Sequence, residues 1–507
     1  MIERELKFAV DPRDVPALKR AIAAAAQGRP ARSTLVSTYF DTPDRALNKG
    51  KMALRVRKRG RRFVQTVKAE LAGDIATRGE WEDAIARPDP DLAAPQSGTR
   101  LQPVVNGAAL EPLFTTTVKR TMARLAPLPT TLIEAAIDEG EIRASDGATT
   151  EPIAELELEL KSGEGAALYD MALRLLDVAP LRIETQSKAE RGYRLVARRK
   201  LRPPVVHARP VRFPAEGTVE TVLQEVGRRS LFDVVRNAPA ALAGTAEAIH
   251  QMRVALRRLR SALAAVKPML SAEHYAWVND SLKSLTQSLG APRDWDVFAD
   301  DLLHPVATVL SEEKGALRQL QSVAQRHRRR AYQEVRRAIA SPETTALILR
   351  LSRWFEARAW RDQPVSERSA QLVQPVKALA PMLIARRFRQ VKKRGKRFKS
   401  LAPTDRHRLR IACKKLRYTV DLLACLFDEK EVDAYLRTLK TLQDDLGYAN
   451  DVRTAHAILS QLDEAGEGAA LGRAGGLILG WHERGMVDRE KKLRKRVARF
   501  RGKRPFW

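Results

Sequence analysis

Polar and apolar positions alternate along most of the first two hundred residues. In ERELKF, Glu3, Glu5 and Lys7 share one face of a strand and Leu6 and Phe8 the other. ALRVRKR sets Arg55, Arg57 and Arg59 against Leu54 and Val56. RGEWED groups Arg78, Glu80 and Glu82, and IAELELELK groups Glu155, Glu157, Glu159 and Lys161 opposite Leu156, Leu158 and Leu160. Helical stretches lie between them, notably 15–26 and 166–176. No strand reads as the continuous Val/Ile run of a buried parallel sheet, so the pattern predicts an antiparallel α+β fold. The period then changes to that of helices. His250, Arg253, Arg257 and Arg260 fall on one helix face, with Met252, Leu256, Leu259 and Leu263 on a separate apolar stripe.

A break separates the two patterns. Leu201–Gly217 holds four prolines and a closing glycine, which predicts a stiff linker between residues 1–200 and 218–507. Charge divides at the same place. Of the net +30, residues 1–200 carry +5, the linker +2 and residues 218–507 +23. Such an excess attracts polyanions, although a solvated helical surface is the ordinary reading of a basic run.

The second part also repeats itself. His250-Gln-Met-Arg253-Val-Ala-Leu-Arg257-Arg258-Leu-Arg260 aligns with His407-Arg-Leu-Arg410-Ile-Ala-Cys-Lys414-Lys415-Leu-Arg417. The phrases LKSLTQSLGAPRDWDV (282–297) and LKTLQDDLGYANDV (439–452) follow, and His250 to His407 and Gly290 to Gly447 are both offset by 157. This is an internal duplication, dividing the region at about 218–370 and 371–507. Each copy sets a basic face, His407, Arg410, Lys414 and Arg417 in the second, beside an apolar stripe. Like charges at this spacing repel by a few tenths of a kcal/mol per pair, so their retention in both copies favours a polyanion site.

Other features narrow the classes. Cys413 and Cys425 lie about 18 Å apart along one predicted helix, too far to bridge within it, and fit a reducing compartment. The opening MIERELKFAV is not read as a secretory signal, and no apolar run approaches the roughly 20 residues of a membrane span. No GxxxxGK[ST] phosphate loop occurs. A cytoplasmic protein without membrane partners is expected.

Two of the charged strands carry carboxylate ladders and one an arginine ladder. Taken singly, each reads as a half-solvated sheet with its charges outward. With these faces turned into a closed sheet, carboxylates and guanidinium groups share a cavity that suits a hard cation and a polyphosphate. Burying so many charges without a ligand would be costly.

Residues 1–200 resemble the CYTH superfamily, the triphosphate tunnel metalloenzymes. Glu3-Arg4-Glu5-Leu6-Lys7 matches its ExExK signature, and further landmarks recur in order: STYFDTPD (37–44), LRVRK (54–58), Lys68 of QTVK, RGEWE (78–82), PLFTTTVKR ending at Arg120, IDEGEI (137–142), IAELELEL (153–160) and SKAERGY (187–193). The likeness is greatest to bacterial inorganic triphosphatases. It implies an eight-stranded antiparallel β-tunnel that cleaves tripolyphosphate to diphosphate and phosphate with Mg²⁺ or Mn²⁺. Carried over by position, Glu3, Glu5, Asp138, Glu155 and Glu157 are the expected metal ligands, with Glu159 less secure. Lys7, Arg55, Arg57, Arg120 and Lys188 are expected to hold phosphate, Arg191 more weakly. Lys68 and Glu5 are the expected catalytic groups, Lys68 either gripping phosphate or helping to activate water.

Residues 218–507 resemble the CHAD domain, the conserved histidine α-helical domain, through the shared histidine-plus-basic helix and the LG…DV phrase. That resemblance implies two pseudo-symmetric four-helix bundles with basic surfaces that bind inorganic polyphosphate. The matching residues are His250, Arg253, Arg257, Arg260, Lys283, His407, Arg410, Lys414, Arg417 and Lys440. Lys414 stands opposite Arg257 and lacks the guanidinium fork. Association with polyphosphate granules is one location this leaves open. Two further arginine- and lysine-rich runs (326–340 and 386–399) make nucleic acid the second partner class. The competing functions are a class IV-type adenylate cyclase and a non-catalytic polyanion-binding protein.

Overall fold

The computed structural model describes residues 2–60, 62–70, 77–197, 203–208, 211, 213–214, 216–464 and 471–507, with the side chains at 2–3, 59, 70, 77–78, 311, 314 and 463–464 also left aside. The Glu3 and Arg78 side chains and linker positions 201–202, 209–210, 212 and 215 therefore lie outside the described residues.

The first two hundred residues form one antiparallel sheet of β1 (Ile2–Val10), β2 (Ala31–Asp41), β3 (Met52–Arg59), β4 (Arg62–Glu70), β5 (Thr77–Ile85), β6 (Glu111–Leu128), β7 (Thr131–Ala144), β8 (Thr150–Ser162) and β9 (Leu181–Ile183). Strand order is β5-β4-β3-β2-β6-β7-β8-β1-β9. One edge of β1 pairs with β8. Its other edge is shared, β5 taking residues 2–4 and β9 taking residues 8–10. The ends of the sheet thus meet over three residue pairs, Ile2↔Gly79 to Arg4↔Thr77, and not along a full seam. The short β9 makes the described strands nine where eight were expected. Three residues between a turn and irregular chain carry no readable alternation.

Five helices accompany the sheet: α1 (Val15–Ala25), α2 (Ala46–Lys49), α3 (Ser97–Val105), α4 (Gly165–Leu176) and α5 (Lys188–Val196). Leu6 and Phe8 of β1, Ile133 and Ile137 of β7 and Leu156 and Leu158 of β8 pack with Leu18 and Ile22 of α1 and with Leu168, Met171 and Leu175 of α4. On β3 and β4, Leu54, Val56 and Val67 pack with Leu47 of α2 and with Leu101 and Val105 of α3. Burying each such Leu, Ile or Phe stabilises by roughly 1.5–3 kcal/mol. These apolar faces therefore decide which side of each strand the helices cover, and the charged faces are left to look inward.

The rest is helical: α6 (Val219–Leu242), α7 (Ala246–Val266), α8 (Ala272–Ser288), α9 (Ala291–Asp296), α10 (His304–Val309), α11 (Lys314–Ala340), α12 (Pro342–Glu356), α13 (Val376–Arg394), α14 (Pro403–Leu423), α15 (Glu429–Glu464) and α16 (Gly472–Arg501). The all-α expectation holds, with more helices than two bundles of four contain. The chain packs as two compact units. One comprises Met1–Val206, Gly227–Ala248 and Ile339–Ala359, the other His207–Val226, Ile249–Ala338 and Trp360–Trp507. Two helical segments beyond the expected linker thus pack with the sheet. Leu349 of α12 enters the α1–α4 core, Arg353 donates to Asp170 of α4, and Glu356 accepts from Arg4 at 2.9 Å. Among the described residues, no helix is long and apolar enough to cross a membrane.

Candidate active site

Cross-strand register puts the ladders on one face of the sheet. Residues directly opposite one another in a sheet share a side. Glu5 lies opposite Glu159 and Lys7 opposite Glu157. Asp138 lies opposite both Glu155 and Arg120. Arg55 and Arg57 lie opposite Tyr39 and Ser37, and Lys68 lies opposite Glu80. Part of this face is shielded from water: Glu155 and Asp138 are 1% exposed, Lys7 4% and Glu5 7%.

Three carboxylates converge on one ammonium. Lys188 Nζ lies 2.9 Å from Asp138, 2.7 Å from Glu155 and 2.7 Å from Glu157. Arg120 grips Asp138 with two bonds of 2.7 Å and reaches Glu157 at 2.5 Å. Arg191 donates to Glu155 at 2.6 Å and to Glu151 at 2.7 Å. Lys7 lies 4.0 Å from Glu155 and donates to the Gln186 carbonyl. Burial pushes the Glu155 carboxyl up, but Lys7 and Lys188 outweigh it and hold it at about 2. Glu157 is likewise buried, and Lys188 and Arg120 hold it well below its ordinary value. Glu159 goes the other way, since burial dominates and Glu134 and Glu5 add like charge.

These oxygens are hard donors that converge on Lys188 and are paired on their flanks by Arg120 and Arg191, and carboxylate oxygens are the donor chemistry that suits Mg²⁺ or Mn²⁺. Among the described residues, no group of three or more His, Cys, Asp or Glu side chains is set out as a ready metal cage. The cation that the trio surrounds here is Lys188.

The opposite wall is cationic. Arg55 pairs with Glu80 at 3.2 Å and lies 3.6 Å from Glu82, and Lys68 pairs with Glu80 at 2.9 Å. Arg57 has only Ser37 Oγ, at 3.3 Å, and no ion pair among the described residues. Burial, reinforced by Arg55 and Arg120, brings Arg57 down to about 10. A half-buried guanidinium without an ion pair among the described residues, near two others, suits an anion.

Helix α5 brings Lys188 and Arg191 to the trio. Its start is a reciprocal capping box. Ser187 Oγ accepts from the Glu190 amide at 3.0 Å, and Glu190 Oε2 accepts from the Ser187 amide at 2.7 Å. A lysine in the first turn opposes the helix dipole, so the three carboxylates offset an unfavourable placement. Gly192 allows the close approach. A Cβ there would come within 2.1 Å of the Phe114 ring on β6. Tyr193 Oη donates to Asp41 at 2.9 Å, and Asp41 also accepts from the Leu47 and Asn48 amides. The FDTPD phrase thus starts α2 and anchors α5. Glu80, Glu82, Glu151 and Tyr193 were not singled out from the sequence as site residues. Glu80 and Glu82 could have been, from their phase with the other ladders.

In the second unit, the duplicated helices α7 and α14 bring their basic stripes together. The Arg257 guanidinium lies 5.5 Å from the Tyr418 ring centroid. Burial and the charges of Arg410 and Arg257 push Lys414 down to about 7. Arg253 and Arg410 are also lowered, chiefly by burial. The Nε atoms of Arg257, Arg260 and Arg410 are buried with no hydrogen-bond partner among the described residues. Arg253 donates to the Leu289 carbonyl at 2.7 Å, and Arg417 to Gln443 at 3.3 Å. His407 Nδ1 lies 2.9 Å from both Asn450 and Arg453. His250 is half-buried on α7. Lys283 on α8 and Lys440 on α15 are exposed and form no hydrogen bond or ion pair with described residues. Asp294 and Asp451, equivalent at the 157 offset, feel Arg253 and Arg410 respectively, and burial raises both. Sequence reasoning missed this pair, although both lie in the repeated phrase. The 326–340 run lies on α11, where Arg326, Arg329, Arg330 and Arg337 are exposed.

A family model described as CYTH domain matches residues 1–193, and one described as CHAD domain matches residues 226–460. Over 195 residues the chain is 31% identical to an inorganic triphosphatase of Haemophilus influenzae, covering 38% of this chain and 54% of that protein. Over 289 residues it is 29% identical to an uncharacterized protein of Mycobacterium tuberculosis, covering 54% and 52%. The chain thus spans about half the length of these curated relatives. Among solved structures, the CHAD domain of the plant Ricinus communis is similar at 25% identity and a TM-score of 0.51, covering 59% of this chain and 98% of that one. The chain therefore carries an N-terminal CYTH domain, residues 1–193, followed by a CHAD domain, residues 226–460.

Proposed function

We propose that the sheet interior is the active site of a metal-dependent inorganic triphosphatase, releasing phosphate and diphosphate from tripolyphosphate. The observation that carries this reading is Arg57, half-buried, close enough to Arg55 and Arg120 to feel both charges and without an ion pair among the described residues, on the sheet face that also bears a carboxylate trio already matched by cations. Arg55, Arg57 and Arg120 grip the non-bridging oxygens, joined by Lys7, Lys188 and Arg191 as the phosphate chain enters. Asp138, Glu155 and Glu157, with Glu5 and Glu3 on the adjoining strand, would hold Mg²⁺ or Mn²⁺. When bound, the ion neutralises charge on the phosphate chain. Lys68 and Glu5 are assigned to the attacking water. Water adds to the terminal phosphorus, the bridging P–O bond breaks, and diphosphate leaves. The inorganic triphosphatase name of the Haemophilus relative supports the substrate class.

The basic face of α7 and α14 is assigned to inorganic polyphosphate, through His250, Arg253, Arg257, Arg260, Lys283, His407, Arg410, Lys414, Arg417 and Lys440. Three buried guanidinium Nε atoms without acceptors among the described residues support an anionic ligand with many oxygens. Nucleic acid is the second reading for this surface. A cytoplasmic location, free or on polyphosphate granules, fits both ligands.

Glu155→Gln and Glu5→Gln test the tunnel assignment. Each is expected to lower tripolyphosphate turnover at least about 100-fold, as loss of a transition-state contact does, with the circular dichroism spectrum unchanged. Undiminished activity in both variants would overturn it. Cyclic AMP formed from ATP would instead establish the cyclase reading.

A further inference from the structure

The first unit includes Arg236, on the part of α6 that packs with the sheet. Arg236 lies behind α5, on the capping box that starts it. Its guanidinium donates to the Thr185 carbonyl at 3.2 Å and, through both terminal nitrogens, to Glu190 Oε1 at 3.3 Å. Glu190 uses its other oxygen on the Ser187 amide. Thr185 immediately precedes Gln186, whose carbonyl accepts from Lys7. One arginine thus holds the carboxylate that closes the helix start and the strand exit that anchors Lys7. Lys188, two residues before Glu190, and Arg191, one after it, are side chains that reach Asp138, Glu155 and Glu157. The Arg236 side chain is 13% exposed and that of Glu190 40%, so water screens the ion pair in part, and the bond to the Thr185 carbonyl holds the guanidinium in place beside it.

We infer that Arg236 is a positioning residue for the tunnel: through Glu190 and Thr185 it sets the first turn of α5, and with it the reach of Lys188 and Arg191 toward a bound triphosphate. This deepens the triphosphatase reading and rests on it. It gives the helical segment 227–248 a task in the first unit beyond covering apolar surface. Displacing a group that grips the substrate equally before and during reaction weakens binding and leaves turnover nearly intact, so a contact that touches no substrate can still govern binding.

The test uses the full chain with Arg236→Ala, Arg236→Lys and, as a control in the same unit, Arg353→Ala, which removes the ion pair to Asp170 on α4. Two readouts are compared: KM and kcat for tripolyphosphate, and amide hydrogen exchange over residues 185–196. R236A is expected to raise KM about tenfold with kcat within about twofold, the pattern of lost uniform binding. It is also expected to speed exchange in α5, with R236K recovering most of both and R353A changing neither. Unchanged KM and exchange in R236A would overturn the inference, as would equal effects in R353A. Should the wild-type chain hydrolyse no triphosphate, the exchange comparison decides alone. Faster exchange in R236A only would then support the clamp while the triphosphatase reading falls, and unchanged exchange would overturn it.

Discussion

Glu155, buried, and Lys414, half-buried, are residues of opposite charge, each set among cations. Glu155 sits among cations and is held at about 2, below its ordinary 4.5. Its folded carboxylate therefore contributes stability that is complete above about pH 4.5 and lost as the pH falls through 2. E155Q should accordingly flatten the acid limb of the thermal melting curve in that window. Lys414 sits among cations of its own sign, Arg253 and Arg257 on α7 and Arg410 on α14, with Asp451 of α15 as the opposing charge, and falls to about 7. It is protonated below that pH and neutral above it. Polyphosphate affinity should then weaken as the pH rises from 6 to 8.5, and Lys414→Arg, which keeps its charge, should remove most of that dependence. Equal pH profiles for wild type and K414R, by calorimetry at fixed salt, would contradict the assignment. The arginines and carboxylates at these positions were legible because they repeat, every second residue in the ladders and at a 157-residue offset in the duplication. Glu151 and Tyr193 were not, because a single contact between strand and helix leaves no periodic trace.

Among the elements, α5 depends most on its fit. Gly192→Ala would drive a methyl into the Phe114 ring. Overpacking of this kind typically costs about 1–3 kcal/mol, and here it also lifts Lys188 and Arg191 from the trio. Loss of tripolyphosphate binding together with a lower melting temperature is expected, and Phe114→Leu in the same chain should restore much of both. For α7 and α14, the expected signature is electrostatic. Long-chain polyphosphate should bind the full chain with a steep inverse dependence on salt, reduced by combined charge reversal at Arg253 and Arg410. Tighter binding of duplex DNA of matched charge would favour the nucleic-acid reading. The sequence announced β1, β3 and β8 through their alternation, and α7 and α14 through their repeat. It did not announce α5 as the helix set on the trio, which followed only from the family resemblance of SKAERGY. Nor did it announce β9, too short to show a period.

At the scale of the whole molecule, the packing units do not follow the proline-rich segment. Residues 227–248 and 339–359 pack with the sheet, and Leu349 completes its outer core. Nothing in α12 could have revealed this, since an amphipathic helix shows that it has an apolar face but not which neighbour covers it. A chain cut at residue 200 would bare the α4 surface, so it is expected to melt lower than the full chain. The inward turn of the charged ladders is the claim on which the functional account stands. Phosphate release by the full-length chain from tripolyphosphate, ATP and long-chain polyphosphate, with Mg²⁺ or Mn²⁺ and with chelator, tests it most directly. Fast, metal-dependent release from tripolyphosphate and slower release from the other two are expected. Release that persists unchanged in chelator, or none from tripolyphosphate with either metal, would contradict it.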